Sequence, residues 1–109
     1  MRRIIMLAAA AGFTAALTAS AAGGKENWGH MCAKCHGANG DGQTNIGRHL
    51  HCKDYTDAKV QAALTDAAAI KAIKEGLKDQ NGHLLMRPAK GLSDSQVKDL
   101  VAYLRTLKK

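Results

Sequence analysis

Cys32-Ala33-Lys34-Cys35-His36 decides how this 109-residue chain is read. Two thiols three positions apart at a helix end can add across the two vinyl groups of one haem. The histidine beside them then lies under the ring and can ligate its iron. Covalent attachment holds such a cofactor against loss, and the histidine fixes its axial orientation. The same residue types admit two other chemistries. Cys32, Cys35 and Cys52 with a histidine such as His51 have the ligand types of a zinc module. The histidine directly after the second cysteine disfavours that reading. A thioredoxin-like dithiol calls for a strand–helix–strand pattern around the pair, and the sequence has none.

The N-terminus bears on the same choice. Arg2 and Arg3 precede Ile4-Ile5-Met6-Leu7 and an Ala-rich run through Leu17, followed by Ala19-Ser20-Ala21. A charged start, a short apolar stretch and a small-residue cleavage pattern read as a secretory signal over residues 1–21, cut after Ala21 or Ala22. A retained anchor is the alternative, but the run over residues 4–22 is barely long enough to span and is mostly alanine. Export to the periplasm agrees with the motif, because haem is attached outside the cytoplasm. It also counts against zinc.

Composition shows why a cofactor is needed. The chain is 46% hydrophobic but has only four aromatics, Phe13, Trp28, Tyr55 and Tyr103. One domain fits this length. Three cysteines are too few for a disulfide scaffold. Residues 22–109 keep three of the aromatics and few large aliphatic side chains, a poor core for so short a domain. A metal, disulfide or cofactor is expected to staple it. Lys and Arg number 16 against nine Asp and Glu, and loss of Arg2 and Arg3 takes the net charge from +7 to +5. Lysines spread over several segments suit acidic protein partners. Nucleic acid is disfavoured, since no basic run is interleaved with aromatics.

From Gly24 onward the patterns are helical, and the expected class is all-α. A helix over about residues 25–34 puts Trp28, Met31 and Cys32 on one side. Residues 37–55, rich in Gly, Asn, Asp and His, read as one long loop. Thr56 is expected to cap a helix with Val60 and Leu64 inward, and Asp66 the next, carrying Ile70, Ile73 and Leu77. Gly76 interrupts that helix, for close backbone approach or near its end. Residues 78–91 read as a second loop. Ser93 with Gln96 forms a capping box for a last helix with the stripe Val97, Leu100, Val101, Leu104 and Leu107.

With these residues in place, the chain resembles the small monohaem class I cytochromes c of bacterial periplasms. Gly24, Trp28 and the motif at 32–36 match that family's first helix, and Leu100-Val101-Ala102-Tyr103-Leu104-Arg105 looks like its last. The resemblance implies three to five short helices around one covalently bound haem c over residues 22–109. It also implies crossed terminal helices, with Gly24 allowing close approach and Trp28 and Tyr103 filling the contact. The family carries an axial methionine in a loop before the last helix, where Met86 stands 50 residues after His36. His83 is the rival sixth ligand; Met31, directly before Cys32, is a poor one. The family also hydrogen-bonds the second ring nitrogen of the ligand histidine to a loop carbonyl. The matching neighbourhood, Asn45-Ile46-Gly47, lacks the usual proline. Arg48 is a candidate for a haem propionate, and His49 and His51 read as solvated.

Haem held by Cys32 and Cys35, with His36 and Met86 as axial ligands, leaves no open coordination site. The implied function is a one-electron carrier, not an enzyme, moving electrons between redox proteins with acidic docking surfaces. The alternative is a haem enzyme or subunit acting on peroxide, nitric oxide or oxygen through a vacated distal site. The mature form is expected to be a monomer that does not span the membrane, with a Cys52-linked dimer as the other possibility.

Overall fold

Side-chain caps mark out most of the helices. The computed structural model describes residues 19–109, and the expected secretory segment, through residue 18, lies outside the described residues. The order is α1 (Ala21–Met31), α2 (Ala33–His36), α3 (Asn45–Leu50), α4 (Ala58–Ala63), α5 (Asp66–Glu75), β1 (Leu77–Lys78), β2 (Leu84–Met86) and α6 (Asp94–Thr106). Ser20, Thr44, Asp57, Thr65 and Ser93 each accept a backbone N–H from the first turn they precede. Ser93 and Gln96 form the reciprocal capping box expected from the sequence. Among the described residues no helix is long and apolar enough to cross a membrane.

Several boundaries differ from the sequence reading. The first helix begins at Ala21 and breaks at Cys32, so Met31 is exposed while Trp28 and Cys32 are buried. The loop expected over residues 37–55 contains α3. Asp57, not Thr56, caps α4, because the Thr56 amide and hydroxyl are both drawn back to Asp54 Oδ1. Thr65, not Asp66, caps α5. The buried residue of α4 is Gln61 rather than Val60 or Leu64, which are half-buried. Residues 78–91 are not all loop: β1 and β2 form a short antiparallel hairpin, with Leu77 opposite Met86. Leu77 leaves the helical stripe, because α5 stops at Gly76.

The core lies where α6 crosses α1. Val97, Leu100, Val101 and Leu104 are buried along one stripe of α6 and pack with Trp28, Cys32, Ala69 and Ile73. Gly24 is buried at the crossing; a Cβ there would overlap the Asp99 carbonyl and stand 2.9 Å from Tyr103 Cβ. Trp28 and Tyr103 meet at 5.9 Å between ring centroids. The terminal-helix crossing therefore has the glycine and aromatic contacts expected of it.

Gln61, only 5% exposed, ties α4 to α6. Its Nε2 donates to the Tyr55 carbonyl at 2.7 Å and the Leu104 carbonyl at 2.8 Å. Its Oε1 accepts from Arg105 Nη1 at 3.0 Å, while Arg105 also reaches the Gln61 and Leu64 carbonyls and Asp66 Oδ1. Removing one partner strands the others in low dielectric, where an unpaired group costs about 1–3 kcal/mol. Gln61→Ala is expected to lower stability by that amount, read as a fall in Tm of the haem-loaded protein. An unchanged Tm would mean that the network carries no net stability.

Candidate functional site

The break between α1 and α2 places the motif. The amides of Cys35 and His36 both donate to the Cys32 carbonyl, and Cys32 N donates to Trp28 O, so the two cysteines and His36 sit on one continuous turn. Thr44 Oγ1 donates to the Cys35 carbonyl at 2.6 Å and accepts Gly47 N at 2.8 Å. That one hydroxyl caps α3 and fastens it against α2. The α3 segment was missed in the sequence because this bond spans nine residues and no local pattern announces it.

All three cysteines are free thiols. Burial, with a smaller contribution from Cys35, pushes the Cys32 thiol up to about 11, and burial followed by Cys35 also raises Cys52. Burial lowers the pKa of His36, which favours the neutral imidazole, the form that ligates a metal. Its Nδ1 is buried and has no hydrogen-bond partner among the described residues. No carbonyl of the Asn45-Ile46-Gly47 neighbourhood, where the resemblance left the partner open, bonds to it. Two rings touch the imidazole instead: Trp28 at 5.7 Å and Tyr55 at 5.8 Å between centroids.

Met86 comes from the other side of the sequence and is fixed by backbone. Gly76, the C-cap of α5, has φ of 74°, and a Cβ there would overlap the Met86 carbonyl and stand 2.9 Å from Pro88 Cδ. Only glycine combines that dihedral with so close an approach. Ala89 N then donates to the Ile73 carbonyl at 2.8 Å, pinning the Met86–Ala89 segment over the end of α5. Met86 is half-buried against the core that holds Cys32. Leu77, paired with it, is 49% exposed, and Leu84 and Leu85 on its own strand are 48% and 41% exposed. Leu77 stands across from Met86 and Leu84 two residues before it, and these open side chains make a surface that an apolar group would cover.

The rival residues lie elsewhere. His83 stands at the hairpin turn with its side chain 77% exposed, Nδ1 3.2 Å from Asp79 Oδ2 and its amide bonded to Asp79 Oδ1. Arg48 bonds locally to Asn45 Oδ1. His49 and His51 are exposed. Among the described residues no three His, Cys, Asp or Glu side chains gather as a metal site, so Cys32, Cys35, Cys52 and His51 do not make zinc's tetrahedral set.

These residues fit a covalently bound haem. Two free thiols and a half-buried imidazole, its pKa lowered by burial, share one turn, and an open apolar surface lies on the hairpin that carries a methionine. The fold and site together define a small helical haem protein. The cytochrome c family profile matches residues 21–108. Cytochrome c-554(548) of Halomonas halodenitrificans is 34% identical over 84 residues, covering 76% of this chain and 90% of that protein. Cytochrome c-554(547) of Halothiobacillus neapolitanus is 33% identical over 93 residues, 81% of this chain and 97% of its own. Among solved structures, the c-type cytochrome KustC0563 superposes with a TM-score of 0.67 at 33% identity, over 79% of this chain and 98% of that one. The chain belongs to the cytochrome c family, and it is a haem c electron carrier.

Proposed function

We propose that the protein is a periplasmic one-electron shuttle in which a single haem c is attached through Cys32 and Cys35 and ligated by His36 and Met86. The observation that carries this reading is His36, its Nδ1 buried and without a partner among the described residues, on the same turn as two free thiols. A bound haem supplies an iron that changes by one electron without taking up substrate. The chain holds the ligating imidazole neutral by burial and presents a thioether from a hairpin clamped by Gly76 and the Ala89–Ile73 bond. A thioether ligand favours ferrous iron and raises the potential. Met86 is preferred to His83 because the latter is exposed and tied to Asp79.

Removal of residues 1–21 after Ala21 or Ala22 delivers the domain over residues 22–109 to the periplasm, as a monomer. Lys34, Lys53, Lys78 and Lys90 are exposed and make no ion pair among the described residues, which supports acidic redox proteins as partners. Brief docking with fast release suits a small charged surface. The purified protein is expected to show a haem spectrum with the weak sulfur-to-iron band when ferric, and no rapid carbon monoxide binding when ferrous at neutral pH. Rapid, stoichiometric carbon monoxide binding would instead establish an open distal site and a haem enzyme or subunit.

A further inference from the structure

The chain after Met86 packs on the end of α5, where Gly76 lies against the Met86 carbonyl and Ala89 N donates to the Ile73 carbonyl at 2.8 Å. The chain before Met86 has no such support from a helix. It belongs to a hairpin whose strands are two and three residues long. Leu77 pairs with Met86 and Lys78 with Leu84, so Leu85 is an extra residue on β2, directly before Met86. A ladder this short, with a bulge in it, specifies register weakly, and a slip of one residue would turn Met86 to the other face. Burial does not set the register either, because Leu77, Leu84 and Leu85 are all exposed.

The turn between the strands supplies what the ladder lacks. Asp79 N donates to the His83 carbonyl at 2.9 Å, and the Asp79 carbonyl accepts Gly82 N at 3.0 Å. The Asp79 side chain adds two more bonds, its Oδ1 accepting Asn81 N at 2.9 Å and His83 N at 2.8 Å. Gly82 completes the turn with φ of 80°, and a Cβ there would meet nothing within 4 Å. The imidazole of His83 contributes only an exposed contact at 3.2 Å to Oδ2, so Asp79 holds the turn by its backbone amides. Bonds to an ionised acceptor are the strong ones, and turn geometry is what fixes hairpin register. We propose that Asp79 is a positioning residue for the distal ligand: by gathering the amides of Asn81 and His83 on one carboxylate oxygen, it fixes the register that presents Met86. This rests on the reading of Met86 as an axial ligand.

The test titrates the haem-loaded ferric protein with imidazole, which must displace Met86, and follows loss of the weak sulfur-to-iron band. Asp79→Ala is expected to bind imidazole about tenfold more tightly than wild type, because bonds to a charged acceptor no longer favour the Met86-ligated form. Asp79→Asn keeps an oxygen that accepts both amides and is expected to stay within about twofold of wild type. His83→Ala keeps its amide and should also match wild type. Wild-type imidazole affinity in Asp79→Ala, with only a lower Tm, would make the turn merely structural and overturn the proposal. Equal tightening in Asp79→Asn would assign the effect to charge, and equal tightening in His83→Ala to the side-chain pair; either overturns it. Should Asp79→Ala fail to fold, Gly82→Ala strains the same turn through its dihedral alone and carries the same expectation, with an unchanged affinity counting against the proposal. Absence of the sulfur-to-iron band from the wild type would sink the Met86 reading itself, and this proposal with it.

Discussion

Replacing Cys32 and Cys35 together by alanine is expected to leave the chain largely unfolded, with most of its helical circular dichroism lost and no cooperative melt. The protein's own core is small. Among the described residues eight hydrophobic residues are buried, one of them an alanine and one Cys32 itself, and only Val97 and Leu100 approach complete burial, at 1% and 2% exposure. Leu77, Leu84 and Leu85 remain open on the hairpin that carries Met86. A domain this short is marginal without a staple, and covalent attachment makes cofactor binding part of folding. Burial of two alanines in place of the thiols adds little cavity, so a large effect would trace to the missing cofactor. Native-like helix content with a cooperative melt in the double variant would show that the polypeptide core suffices.

Met86→Ala carries the second large effect. Loss of the thioether is expected to abolish the weak sulfur-to-iron band of the ferric protein and lower the reduction potential. Axial ligand identity spans about 0.8 V across haem proteins, so the fall should be well outside measurement error. The vacated position should also admit carbon monoxide rapidly to the ferrous protein. His83→Ala is expected to leave band, potential and carbon monoxide behaviour unchanged, since that side chain is exposed and paired to Asp79. Survival of the band in Met86→Ala, or its loss in His83→Ala, would reassign the distal ligand.

What could be read from residues alone depended on how local its cause was. The capping box at Ser93 and Gln96 lies within one turn, and the stripe of α6 repeats with the helical period, so both were legible. Thr56 reads as the cap of α4 from residue type alone, yet Asp57 fills that place. The amide and hydroxyl of Thr56 are drawn back to Asp54, and composition does not encode that diversion. The strands β1 and β2 are too short for any alternation to register. Gln61 is a polar residue that no apolar pattern marks, yet it is buried because its amide meets the Leu104 carbonyl 43 residues away.

The same division runs through the site. By itself the sequence determined which groups are the candidates: two thiols and a histidine at fixed spacing, a methionine ahead of a capped last helix, and too few aromatics to make a core unaided. These are matters of residue type and short-range order, which survive without coordinates. Tertiary structure decided the environment. It buried Nδ1 of His36 with no partner among the described residues, brought Trp28 and Tyr55 against the ring, and clamped Met86 over Gly76. It also set His83 out at a turn. Each of these depends on segments distant in the chain meeting in space, where burial and contact, rather than residue identity, set what a side chain can do.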